Sequence, residues 1–213
     1  MFTDRLDAAE QLAAALAPYR GRQPLLLAIP RGAVPMAARI AERLQGDVDL
    51  VLVRKLHAPG DPEFAVGAVD ESGWVYVAPY AHAAGATAAY IEEQRQAQLR
   101  EIARRRDLYT PGRSRLAIQG RVAIVVDDGL ATGSTMVAAL HAIRQRQPAR
   151  LVCAVPVASE EAIERVRRYA DEVVCLSTPV DFRAVGQFYR RFPQVEDAEV
   201  VAALARAHDG GAA

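Results

Sequence analysis

The chain has a single lysine, Lys55, among 26 basic residues, so any other cationic role falls to arginine or histidine. Asp plus Glu also number 26, and the formal net charge is zero. No overall field therefore draws the protein to nucleic acid or to an anionic membrane. Only two cysteines occur, Cys153 and Cys175, each inside an apolar run ("LVCAV", "VVCLS"). That usage implies buried, inert thiols and no disulfide framework. Long apolar runs are missing too, and none approaches membrane-spanning length. The opening "MFTDRLDAAEQLAAAL" lacks the basic start and apolar segment of a secretory signal. With Thr3 or Asp4 as its cap it reads as an amphipathic helix over 4–17, and a cytoplasmic location is expected. Two familiar phosphate-binding patterns are also absent, for there is neither Gly-Lys-Ser/Thr nor G-x-G-x-x-G. His82, His141 and His208 show no metal-ligand spacing and read as structural or exposed.

What is present is an alternation of apolar runs and helical patterns. With 213 residues, 51% of them hydrophobic, the chain can bury one α/β core, and a single domain over 1–213 is expected. "LLLAI" (25–29), a helical pattern over 36–44 and "DLVLVRK" form a βαβ unit. "LHAPGDPEF" reads as a Pro- and Gly-rich loop, and "AVGAVDESGWVYVAP" as a hairpin turning at "DESG". Residues 84–110 predict a long, exposed, Arg-rich helix with Ile91, Leu99, Ile102 and Leu108 turned inward. A strand at 122–126 and a helix at 134–145 follow, then "RLVCAVPVA", a helix capped by Ser159, and "EVVCLS". An irregular stretch over 177–196 holds three of the five phenylalanines, and a last helix covers 197–208. The fold class is α/β: a doubly wound, mostly parallel sheet flanked by helices, with a small hairpin or hood element. Ligands in such folds bind beyond the carboxyl ends of the strands. Three loops of unusual composition fall there: "PRGA", "RKLHAPGDPEF" and "DDGLATGST".

The third loop carries the most chemistry. An apolar strand ends in Asp127 and Asp128, which are acceptors only when ionised and suit the adjacent hydroxyls of a ribose, directly or through a metal-bound water. Gly129 and Gly133 allow a tight turn and close backbone approach, with Leu130 between them. Thr132, Ser134 and Thr135 add hydroxyls, and their amides, with that of Ala131, lie at a helix start where an anion is favoured. The layout is a sugar-diol grip followed by a phosphate cup. A plain strand end with a Ser/Thr helix cap is the bland alternative, and the doubled acid beside "TGST" weighs against it.

"VAIVVDDGLATGSTM" resembles the phosphoribosyl-pyrophosphate (PRPP) signature of type I phosphoribosyltransferases. The chain as a whole is similar to a bacterial group of that family with a Pro-Arg-Gly motif and an "APGxPEFA" loop. The resemblance implies that Asp127 and Asp128 face the ribose hydroxyls, holding Mg²⁺ through water, while Ala131 to Thr135 wrap the 5′-phosphate. It implies a pyrophosphate loop at "IPRGAVP", with Arg31 as a charge-assisted fork, Gly32 giving close approach, and a cis bond at Pro30–Arg31 or Arg31–Gly32. It further implies a mobile loop after Arg54, Lys55 and His57, closing over the pyrophosphate. His57 is otherwise incidental, and Glu63 stays open between a base and a loop anchor. The implied reaction is displacement of pyrophosphate from PRPP by a nitrogen acceptor, with Mg²⁺ as cofactor.

In this family a hood reads the acceptor. Here Phe182 or Phe188 is the candidate for stacking on a base and Asp181 or Arg183 for hydrogen bonding to it, although phenylalanines in such a segment more often fill a core. Familiar 6-oxopurine enzymes of the family use a strand-end lysine in this region, and its absence here argues against a hypoxanthine or guanine acceptor. A homodimer is the expected assembly, with the Arg-rich helix as a solvated face or a dimer contact. The alternative function is a non-catalytic PRPP or nucleotide-binding regulator, whose effector surface would be the stretch Arg95–Arg106. A hydrolase use of the site ranks last, for no nucleophile has a paired base.

Overall fold

In chain order the elements are α1 (Arg5–Ala15), β1 (Leu25–Ala28), α2 (Ala33–Leu44), β2 (Asp47–Leu50), β3 (Val53–Ala58), β4 (Asp61–Asp70) and β5 (Val75–Val77). Then come α3 (Ala88–Tyr109), β6 (Val122–Val126), α4 (Ser134–Arg144), β7 (Arg150–Val157), α5 (Glu160–Val166), β8 (Glu172–Ser177) and α6 (Asp197–Asp209). The computed structural model describes residues 1–209, except the side chains of Glu63, His208 and Asp209. The expectations for Glu63 and His208 therefore lie outside the described side chains.

Five strands pair in parallel in the order β2-β1-β6-β7-β8. Their central members are apolar throughout because both faces are covered. Leu26, Ala28, Ile124, Val126, Val152 and Ala154 face a core with α1, α2 and α6. Their neighbours Leu25, Leu27, Ala123, Val125, Leu151 and Cys153 face a second core with α4 and α5. The two-residue period of a strand sorts one continuous hydrophobic run onto two layers of helices. Cys153 lies fully in that second core, and Cys175 is only partly buried, with its Sγ donating to Ser177 O at 3.2 Å; both are free thiols. α1 starts at the expected place, for Asp4 accepts from the amides of Leu6 and Asp7.

The stretch from 47 to 77 departs from expectation. "DLVLVRK" is two strands: β2 belongs to the parallel sheet, and after Val51–Leu52 the chain enters β3 of a separate antiparallel sheet, β3-β4-β5. "LHAPGDPEF" is mostly strand, folded back at Pro59–Gly60, where Gly60 takes φ +77°. Such a Pro-Gly pair makes a hairpin tip as readily as a loop. Pro62 sits in β4 beside register shifts at His57 and Ala58, where a missing donor is tolerated. The second hairpin is as read: Gly73 N donates to Asp70 O at 3.0 Å, and Asp70 N to Trp74 O at 3.1 Å.

α3 begins four residues later than its charge pattern suggests, because Gly85 turns at φ +81° and Thr87 caps the amide of Tyr90. Ile91, Leu99 and Ile102 pack inward as expected. Leu108 is instead 39% exposed, and the next residue, Tyr109, is buried. Tyr109 lies seven residues after Ile102, about two full turns, whereas Leu108 falls well short of that face.

Candidate active site

β1 and β6 are neighbours in register, Ala28 opposite Val126, so the loops that leave them emerge side by side. Ile29 N donates to Val126 O at 3.0 Å, and Asp127 N reaches Ala154 O at 3.4 Å, carrying the pairing past both strand ends. Beyond them opens a cavity of about 320 Å³. Arg31 and Gly32 line it from the first loop and Lys55 from β3. Asp127, Asp128, Gly129, Leu130, Ala131, Thr132, Gly133 and Thr135 line it from the β6–α4 loop. Val185, from the irregular segment before α6, closes one side.

The two carboxylates are not equivalent. Asp127 Oδ1 accepts the amide of Asp128 at 2.9 Å. Burial, and then the negative charge of Asp128, push the Asp127 carboxyl well above the usual range, against a downward pull from Lys55 and Arg5. Asp128 is raised by burial too, but Arg5 opposes the shift. Arg5, at the first turn of α1, places Nε at 2.9 Å and Nη2 at 2.8 Å from Asp128 Oδ2. Its Nη1 donates to Pro193 O at 2.6 Å, and its guanidinium lies 3.7 Å from the Phe192 ring centroid. The Tyr189 hydroxyl donates to Asp128 O at 2.7 Å. The start of α1, the exit of β6 and the segment before α6 thus meet at one aspartate.

Gly32 is required where it stands: a β-carbon there would lie 2.1 Å from Asp128 Oδ2. The peptide bond Pro30–Arg31 is cis, one of the two bonds named by the resemblance. Arg31 borders the cavity while Nη1 approaches Asp197 Oδ1 at 3.5 Å and Glu196 Oε2 at 3.7 Å. Gly129 is equally constrained, since a β-carbon would meet Val185 Cγ1 at 2.5 Å. In the cup, Gly133 takes φ +75° as the N-cap of α4. The Thr132 hydroxyl lies 3.3 Å from Ser134 Oγ. Ser134 itself is buried and does not line the cavity, so of the three expected hydroxyls only those of Thr132 and Thr135 belong to lining residues.

Arg54 and Lys55 part company because successive strand residues face opposite sides. Lys55 turns to the cavity. Arg54 turns to α3, where Nε donates to Gln98 Oε1 at 3.0 Å, and burial beside Arg105 lowers its pKa. Arg54 is therefore a packing contact of α3 and not a cavity group. His57 lies away as well, in a separate depression with Pro62, Tyr90 and Gln94. His141 is structural: it stacks on Trp74 at 3.7 Å and lies 3.4 Å from Asp70 Oδ2, while His82 is exposed. Phe182 and Phe188 pack on each other at 5.2 Å and against the core, and neither lines the cavity.

Sequence reasoning missed Arg5, Tyr189 and Val185. Arg5 and Asp128 are 123 positions apart, and no local pattern marks either end of such a contact.

A parallel α/β sheet with an acid pair and a glycine-rich helix start at its carboxyl edge defines the class: a doubly wound α/β protein with its cavity beyond the strand ends. The chain belongs to the phosphoribosyl transferase domain family, which matches residues 3–191. A Mycobacterium tuberculosis (strain H37Rv) protein provisionally named a phosphoribosyl transferase is 44% identical over 209 residues. That match takes in 98% of this chain but 47% of the relative, so the chain spans about half the length of the curated relatives it matches. The crystal structure of TT1426 from Thermus thermophilus superposes with a TM-score of 0.80 at 47% identity, covering 96% of this chain and 98% of that one. Among the described residues no helix is long and apolar enough to cross a membrane.

Proposed function

We propose that this chain binds PRPP and transfers its phosphoribosyl group to a nitrogenous acceptor, releasing pyrophosphate. The observation that carries the reading is the meeting, in one cavity, of a carboxylate pair, an amide-lined helix start and two cations, Arg31 and Lys55. Asp127 and Asp128 accept from the ribose hydroxyls, residues 131–135 cradle the 5′-phosphate, and Arg31, Gly32 and Lys55 meet the pyrophosphate.

In the reaction, the lone pair of the acceptor nitrogen forms the new bond to C1. The bond from C1 to the pyrophosphate oxygen breaks, and its electrons leave with pyrophosphate. The transition state gathers positive charge on the ribose and negative charge on the leaving group. The buried acid pair faces the first, and Arg31 and Lys55 face the second. Holding both reactants in line supplies the rest, and no covalent nucleophile is needed.

Among the described residues no group of three or more His, Cys, Asp or Glu side chains assembles to hold a metal. The donor set still fits Mg²⁺, which is commonly held by one or two carboxylates together with substrate phosphates. Asp127 would be the principal protein partner, because Asp128 Oδ2 already serves Arg5. Bound there, Mg²⁺ would neutralise charge on the departing pyrophosphate.

Calorimetry with Mg²⁺ and PRPP tests the reading. Wild type is expected to bind, and Asp127→Asn/Asp128→Asn to bind at least about 100-fold more weakly, as befits the loss of two charged partners. A folded wild type that does not bind PRPP removes the proposal.

A further inference from the structure

We infer that Ser159 and Arg165, on the far side of the phosphate loop from the cavity, are positioning residues that turn the loop's amides toward a phosphate monoester. The inference rests on the PRPP reading and extends it to side chains outside the cavity lining. Three consecutive loop carbonyls are taken from behind. The Ser159 amide donates to Leu130 O at 3.0 Å, its Oγ donates to Ala131 O at 2.7 Å, and Arg165 Nη1 donates to Thr132 O.

In a trans peptide the carbonyl and the following N–H point in opposite directions. Tying the carbonyls of 130, 131 and 132 on the α5 side therefore turns the N–H groups of Ala131, Thr132 and Gly133 the other way. All three residues line the cavity. Successive amides turned to one concave side form an anion-binding nest. Gly133 closes it, with φ +75° and a virtual β-carbon only 3.3 Å from Ala162 O, so the loop is seated hard on α5.

Neither residue is a loose surface contact. Arg165 is 15% exposed, and its Nη2 pairs with Glu161 Oε1 at 2.6 Å, which fixes the fork. Ser159 caps α5, accepting from Ala162 N at 3.1 Å while it donates to the loop. The end of β7 just before that cap shares the pairing, since Leu130 N donates to Val157 O at 2.9 Å. The loop is thus laced to the β7–α5 junction from Leu130 to Thr132. The guanidinium also places a positive charge directly behind the cup, which favours a dianion in front of it.

The role predicts selectivity between the two ends of PRPP, since the pyrophosphate end meets Arg31, Gly32 and Lys55 instead. Ribose 5-phosphate and inorganic pyrophosphate are titrated separately, with Mg²⁺, into the full chain and into Arg165→Ala, Arg165→Lys and Ser159→Ala. Thermal melts accompany each variant. Arg165→Ala is expected to raise the Kd for ribose 5-phosphate about 10- to 100-fold, the range for one lost charge-assisted bond, and to leave pyrophosphate within about twofold. Arg165→Lys recovers part of the loss. Should Arg165→Ala fail to fold, the folded Ser159→Ala carries the same comparison, with a rise of about fivefold expected. Unchanged ribose 5-phosphate binding in folded variants overturns the inference and leaves the PRPP reading standing. Equal loss of both ligands also overturns it, as general damage to the site. A wild type that binds neither ligand removes this inference together with the reading beneath it.

Discussion

Asp128 serves two partners with one carboxylate. Its Oδ2 takes two nitrogens of Arg5 and occupies the space that a β-carbon at Gly32 would need, while its side chain stays 18% exposed. Arg5→Ala would leave that carboxylate without its cation and strip the charge from above the Phe192 ring. A loss of about 2–3 kcal/mol in urea unfolding is expected, below the full cost of an unpaired buried charge because water reaches Asp128. Adding Asp128→Asn should recover part of it, and strictly additive losses would show that the pair is not coupled. Gly32→Ala is expected to disturb the same carboxylate sterically. Weakened PRPP binding, by about tenfold or more in calorimetry, with folding retained, is the outcome consistent with a displaced Asp128. Residues 127–135 could be read as a site because their roles are set by contiguous chain: strand, acids, glycine turn, helix start. Arg5 and Tyr189 could not, since both act through contacts that only the folded chain creates. Arg54 and Lys55 lay between these cases, because composition marks both as basic and only the strand's phase decides which one faces the cavity.

Among the elements, the parallel strands were legible for a simple reason. A strand covered on both faces is a nearly unbroken apolar run, and β1, β6 and β7 are such runs, while the edge strand β8 is apolar only in its middle. The β3–β4 hairpin was read as loop because Pro59, Gly60 and Pro62 weaken every local strand signal, and pairing with a neighbour overrides them. The end of α3 was misjudged by one residue, and the residue that is actually inward has consequences. The Tyr109 hydroxyl donates to Asp197 Oδ1 at 2.6 Å, and the same oxygen approaches Arg31. Tyr109 therefore joins α3 to the start of α6 next to Arg31 of the β1–α2 loop. Burial, then the bond to Asp197, pushes its phenol up to about 12. A raised folded pKa means full stabilisation below the unfolded value near 10, lost as pH rises through about 12. Unfolding in urea at pH 9 and at pH 11.5 measures this. Wild type should lose about 2 kcal/mol more across that interval than Tyr109→Phe, whose other tyrosines are unchanged. Equal losses would mean that Tyr109 ionises as freely folded as unfolded.

At the scale of the molecule, the balance of 26 basic and 26 acidic residues is reproduced locally on the surface most able to upset it. α3 carries five arginines, and four of them are ion-paired: Arg95 with Glu92, Arg104 and Arg105 with Glu101, and Arg106 with Glu71. Glu101 is held down to about 2 by its bonds to Arg104 and Arg105, so it stays ionised and keeps neutralising them at any ordinary pH. A helix so compensated offers no continuous basic stripe to a phosphate backbone. Arg31 and Lys55 instead line the cavity together with the acid pair, Asp127 and Asp128. This separates the transferase reading from that of a regulator acting on nucleic acid. Titration of labelled single-stranded RNA and duplex DNA at about 50 mM and about 200 mM salt should give no complex tighter than about 100 μM, the weak end of ordinary non-specific binding. Micromolar binding with a steep salt dependence, lost on reversing Arg100 and Arg104 to glutamate, would instead make α3 an effector surface. PRPP would then be a signal that the protein reads, and its turnover would have to be shown separately.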